Sequence, residues 1–118
     1  MLPDKRILDL TRLEEAFEDD RAGIAELLEM ALDTGTKHRR SMEDALATGD
    51  AAALAKAAHG IKGSAGNIGA VHVAALATEL EQRARGGDMT GARERIDGIV
   101  AAYDRLAEEV RAYKEATP

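Results

Sequence analysis

The chain has no cysteine, and its two prolines, Pro3 and Pro118, stand at the extreme ends of its 118 residues. Without cysteine there is no disulfide, no thiolate metal site and no thiol nucleophile, and the disulfide-scaffold reading of a small secreted domain falls away. A reducing, cytoplasmic setting is expected. Without an internal proline, nothing breaks a long helix. No run approaches the roughly 20 apolar residues that span a bilayer, and the opening Met-Leu-Pro-Asp-Lys-Arg lacks the apolar core of a signal peptide, so no membrane role is expected. Basic residues are in deficit, 16 Lys and Arg against 22 Asp and Glu, for a net charge of −6. A nucleic-acid binder needs a basic face to displace counterions from phosphates, which excludes nucleic acid as an expected partner. The deficit lies in residues 1–50, with 7 basic and 13 acidic side chains against 9 of each in the rest. A solvated helix surface accounts for it.

What is there is helix-forming. Ala, Leu, Glu and Arg dominate the interior, strand patterns are lacking, and the length suits one domain over residues 1–118, its core spanning about 8–114. Thr11 can cap a short helix carrying Leu10, Leu13 and Phe17, and Asp19 or Asp20 can cap the next. That second helix shows Ile24, Leu27, Leu28, Ala31, Met42, Ala45 and Leu46 at helical period up to Gly49, a suitable C-terminal cap. Asp50 can cap a third helix. Val73, Leu76, Ala77, Leu80 and Ala84 mark a fourth, stopped by Gly86 and Gly87, and Thr90 can start the last, with Ile96, Ile99, Val100, Tyr103, Leu106, Ala107 and Val110 on its apolar side. The expected fold is all-α, an antiparallel up-down four-helix bundle with a short additional N-terminal helix.

The informative stretch runs from Ala57 to Ala70. If it is helical, residues advance about 100° each, and Leu54, Ala58, Ile61, Ala65 and Ile68 form a core stripe. His59 sits roughly 140° away from that stripe, with Lys62 at i+3, Lys56 at i−3, Gly63 one turn along and Gly66 two turns along. It is displayed and not packed. Glycines 60, 63, 66 and 69 each cost a helix up to about 1 kcal/mol relative to Ala and so need a reason. Gly69 is read as a turn. The helix could also stop near Gly66, or the whole segment could be a loop. At Gly63 a missing Cβ, at i+4 from His59, opens room for another molecule to reach the imidazole. An accessible neutral imidazole is a nucleophile that can accept a phosphoryl group, and the charge that spreads over phosphoryl oxygens is stabilised by a nearby ammonium, which Lys62 can supply. The segment offers no nucleotide pocket, carboxylate cluster or general base. A carrier without kinase or ATPase activity of its own is implied.

These residues, His59-x-x-Lys62-Gly63 with Ala58 before, Ser64 after and Gly69 downstream, resemble the phosphoacceptor motif of histidine-containing phosphotransfer (HPt) domains. The resemblance extends over roughly residues 8–114 and implies a four-helix bundle that shows the acceptor histidine to solvent. It implies that His59 is phosphorylated, that Lys62 helps to hold the phosphoryl group and that Gly63 keeps the approach open. It also implies a phosphorelay in which the group comes from a receiver-domain aspartate and passes to another response regulator, with a hybrid sensor histidine kinase upstream and Mg²⁺ supplied on the receiver. The chain needs no cofactor of its own and is expected to be a monomer. Lys56, Gly60, Ser64, Gly66 and Asn67 are the expected partner contacts. Two alternatives stay open: a helical adaptor that is never phosphorylated, and a phosphoacceptor and dimerisation fragment of a histidine kinase.

The remaining histidines read as structural. His38 falls on the apolar stripe of the second helix and is expected to be packed or at the boundary, while His72 is expected at the surface. With His59 they match no common zinc spacing, so no metal site is expected. Lys37-His38-Arg39-Arg40 spirals around its helix as a solvated face, and Gly60-Ile61-Lys62-Gly63-Ser64 has the wrong order and no preceding strand for a P-loop.

Overall fold

The computed structural model describes residues 10–18 and 20–116, and among them are five helices and no strand. A short α1 (Thr11–Ala16) leads into α2 (Arg21–Thr48), α3 (Ala51–Asn67), α4 (Val71–Arg85) and α5 (Ala92–Glu115). Pro3, Pro118 and Asp19 lie outside the described residues. Asp20 and Asp50 cap α2 and α3 as their positions predict, accepting hydrogen bonds from the Gly23 and Ala53 backbone N–H groups at 3.1 and 3.0 Å. Two helix starts differ from the expectation. Thr11 is the first residue inside α1, with Leu10 at the cap position. Thr90 is kept out of α5 because its N–H donates to Asp88 at 2.9 Å in a tight turn, and Gly91 takes the cap.

The turns on either side of α3 are built alike. Gly49 (φ +69°) and Gly69 (φ +75°) adopt the left-handed conformation that only glycine takes without strain. The next N–H in each case reaches back to the preceding helix, Asp50 to the Ala45 carbonyl and Ala70 to the Ala65 carbonyl, both at 2.9 Å. Such abrupt reversals lay α2, α3 and α4 side by side in antiparallel order. α5 then closes the bundle against α2 and α4. Its direction shows in the pairs it makes with α2: Glu43 with Arg93, Arg39 with Asp104 and Glu29 with Lys114, falling numbers on one helix meeting rising numbers on the other. Arg21 stacks over the Tyr113 ring, 4.5 Å from its centroid, where this longer helix pair extends beyond the α3–α4 hairpin.

The core is the set of apolar stripes read from the sequence, with small corrections. Ile24, Leu28, Met42, Leu54, Ala58, Ile61, Ala65, Ile68, Val73, Leu80, Ile96, Ile99, Leu106 and Val110 are all buried. Phe17 follows the end of α1 and is 36 % exposed, so that helix contributes Leu13 and the partly buried Leu10 instead of three residues. Ala107 is exposed, because it stands about 100° round the helix from Leu106 and leaves the buried arc, whereas Ala102 is inside it. No helix of the described residues is long and apolar enough to cross a membrane.

Candidate functional site

α3 remains helical through Gly60 and Gly63 and ends at Asn67, one residue past Gly66, with the turn at Gly69, so the loop reading does not apply and the stop near Gly66 does. Packing supplies what the glycines forgo. α3 lies between α2 and α4 and buries Leu54, Ala55, Ala57, Ala58, Ile61 and Ala65 over a broad arc, which leaves one narrow outward face. His59 stands on that face with its side chain 61 % exposed.

The imidazole is nevertheless held at one edge. Glu81, on α4, is the one buried charged or polar side chain among the described residues, and its carboxylate lies 3.0 Å from His59 Nδ1. The same carboxylate meets Lys62 Nζ at 2.9 Å and an Arg85 guanidinium nitrogen at 2.8 Å. A buried carboxylate is tolerated when it is paired and hydrogen-bonded on both oxygens. The hydrogen bond from Lys62 is the main cause holding the Glu81 carboxyl below its ordinary value; burial opposes it, and His59 and Arg85 add to the lowering. Glu81 is therefore ionised at neutral pH. An ionised carboxylate only accepts hydrogen bonds, so Nδ1 carries the ring proton and the Nε2 lone pair points away from α4 toward solvent.

Sequence reasoning missed Glu81, which lies 22 residues from His59 and stands about 80° round α4 from its Val73, Ala77, Leu80 and Ala84 stripe. The available signal was an acidic side chain at the edge of an apolar stripe, four residues before a basic one, Arg85. The expected site residues separate by neighbourhood. A Cβ added at Gly63 or Gly66 would meet nothing within 4 Å, so both leave open space along the face of His59. Lys56 and Asn67 are exposed beside them. Gly60 is different: a Cβ there would be driven into the His38 ring from α2, which makes this a close helix-helix contact. Ser64 also turns inward, toward the Tyr103 hydroxyl; burial raises that phenol's pKa and the Ser64 hydrogen bond pulls it partly back. His38 is half-buried and its pKa is lowered by burial, as a boundary histidine's would be, and His72 is exposed. No group of three or more His, Asp or Glu side chains that could hold a metal ion occurs among the described residues.

Two clefts flank His59. One, of about 610 Å³, lies between α3 and α4 and reaches Ala84, Arg85 and Gly87; the other, of about 490 Å³, lies toward α2 and reaches His38 and Ser41. Their α3 walls are mainly alanine, which lets a neighbouring surface come close to the backbone. The arrangement is a nucleophilic nitrogen presented outward, with its opposite nitrogen anchored and its surroundings cleared.

No curated protein sequence matches the chain. A solved structure does: the histidine-containing phosphotransfer protein B (HptB) from Pseudomonas aeruginosa PAO1 superposes with a TM-score of 0.87 at 30 % identity, covering 98 % of this chain and 100 % of that one. The model of the Hpt domain family matches residues 26–113. That span takes in the outward histidine, its lysine and glycine neighbours and the buried carboxylate, and the chain belongs to the Hpt domain family, the phosphoryl carriers of two-component phosphorelays.

Proposed function

We propose that His59 accepts a phosphoryl group on Nε2 from an aspartyl phosphate of a receiver domain and passes it to the aspartate of another, with the chain acting as a cytoplasmic monomer. The observation that carries this reading is the split environment of one imidazole: 61 % of the side chain is exposed, while Nδ1 sits 3.0 Å from the buried Glu81 carboxylate. The Nε2 lone pair attacks phosphorus as the bond from phosphorus to the aspartyl oxygen breaks, and the aspartate leaves with the electron pair. The ring keeps its Nδ1 proton and becomes positively charged. Glu81 faces that new charge and stabilises both the transition state and the phosphorylated ring. Glu81 acts through the imidazole and is a positioning residue. The reverse steps deliver the group to the next receiver.

In-line transfer demands close approach of two surfaces, which the open space at Gly63 and Gly66 supports. The receiver supplies the aspartate and Mg²⁺, and a hybrid sensor kinase is the expected source of phosphate. Incubation with purified phosphorylated receiver domains tests the reading. Label should move to the parent and not to His59→Gln, while His38→Gln and His72→Gln should accept it normally. Labelling that survives in His59→Gln, or a parent that accepts from no receiver of its host, refutes it.

A further inference from the structure

The buried Glu81 carboxylate has three ion-pair partners among the described residues, and their closest approaches divide between its two oxygens. Lys62 Nζ meets Oε1 at 2.9 Å. Oε2 takes both His59 Nδ1 at 3.0 Å and an Arg85 guanidinium nitrogen at 2.8 Å. The two cations are anchored differently. Lys62 stands one turn beyond His59 on α3, where helical neighbours have Cβ atoms about 5–6 Å apart, and its ammonium rides on a flexible four-carbon stem. Arg85 belongs to α4, one turn after Glu81, and is the last residue of that helix. Free carbonyls at a helix C-terminus favour a cation, so the helix end holds this charge as well as the carboxylate does. Arg83, the other basic residue of that last turn, is directed to Glu79 and Asp88.

The charges can be followed through the two states of His59. With the ring neutral, the carboxylate faces two cations, Lys62 and Arg85. Phosphorylation at Nε2 keeps the proton on Nδ1 and makes the ring cationic, which brings a further positive charge to Oε2 while a dianion forms on the outward side. We propose that phosphorylation exchanges partners at Glu81: the imidazolium takes the place of Lys62, Lys62 turns to the phosphoryl oxygens, and Arg85 stays as the fixed counter-ion that permits the exchange. This rests on His59 being the phosphoacceptor. Glu81 then faces two cations before and after transfer. Without Arg85 the resting carboxylate would have Lys62 as its one charged partner, and a buried charge is strongly destabilised by losing its partner. Lys62 would be held where it is. Arg85 therefore acts through Lys62, as a positioning residue.

The test needs no partner protein. Potassium phosphoramidate phosphorylates an accessible imidazole directly, the Nε2–phosphorus bond forming as the phosphorus–nitrogen bond of the reagent breaks and ammonia leaves with its electron pair. The ³¹P NMR signal of the product is then titrated with pH in the parent and in variants. A cation beside the phosphoryl group favours its dianion and lowers its pKa, so Lys62→Gln should raise that pKa by about 0.5. Arg85→Gln should raise it too, because Lys62 is then retained on Glu81, and Arg85→Lys should return it toward the parent value. In a Lys62→Gln background the Arg85→Gln shift should shrink by more than half, since the ammonium through which it acts is gone. Arg85 is 67 % exposed, so its variants should melt close to the parent. The proposal is overturned if Arg85→Gln titrates like the parent, or if its shift shrinks by less than half in the Lys62→Gln background, which makes Arg85 a direct neighbour of the phosphoryl group. A parent with no phosphohistidine signal that His59→Gln removes is a different failure, because it overturns the phosphoacceptor reading along with the inference.

Discussion

Replacing Glu81 with Gln keeps the outline of the side chain and removes its charge, and three contacts change together: His59 at 3.0 Å, Lys62 at 2.9 Å and Arg85 at 2.8 Å. Arg85 is 67 % exposed and Lys62 38 %, so water takes over both cations, and after allowance for screening their joint contribution is about 1 kcal/mol. An amide is also easier to bury than a carboxylate, which offsets part of the loss. The melting temperature should therefore fall by only about 4 °C or less. Transfer should suffer more. The ring becomes cationic as the nitrogen–phosphorus bond forms, and a hydrogen bond to a charged group contributes roughly 1.5–3 kcal/mol, which corresponds to a rate lower by about ten- to a hundredfold. The pH dependence carries a sign of its own. The folded Glu81 carboxyl lies below its ordinary value of 4.5, so its stabilisation is complete above that value and is lost as pH falls through the folded one. The stability gap between parent and variant should be constant near neutral pH and shrink in that acid window. Thermal melts across pH, single-turnover transfer from a phosphorylated receiver and ¹⁵N NMR of the imidazole ring measure the three effects. If Glu81→Gln transfers within about twofold of the parent and keeps the same ring tautomer, the anchoring of Nδ1 by charge is wrong.

Two further substitutions separate the glycines of α3. Gly60→Ala should destabilise by about 1–2 kcal/mol, because overpacking against His38 outweighs the gain in helix propensity; with His38→Ala in place the same change should become stabilising, and thermal melts of the four variants decide it. Gly63→Leu faces open space, so it should be as stable as the parent or up to about 1 kcal/mol more so, yet bind and label poorly in receiver pull-down and transfer assays; a stable variant that transfers normally contradicts the access role.

The helices, their order and the outward direction of His59 follow from the sequence alone, because they depend on local chemistry. Apolar residues at helical spacing fix which side of each helix is buried, aspartates at positions 20 and 50 satisfy free N–H groups, and glycines at 49 and 69 supply backbone angles that other residues resist. The open neighbourhood of Gly63 is likewise a property of one helix face. What the tertiary structure decided are the contacts between helices. Lys62 was legible as a lysine beside a histidine, but its charge is directed at Glu81, and only the packing of α4 on α3 brings those two together. Gly60 and Ser64 share the segment with His59, yet the positions of α2 and α5 turn the first into a contact with His38 and the second toward Tyr103. The physical reason is range: helical periodicity states which side of a residue faces inward, whereas the partner it finds there depends on how far a second helix has been rotated and slid against the first, and no local pattern encodes that.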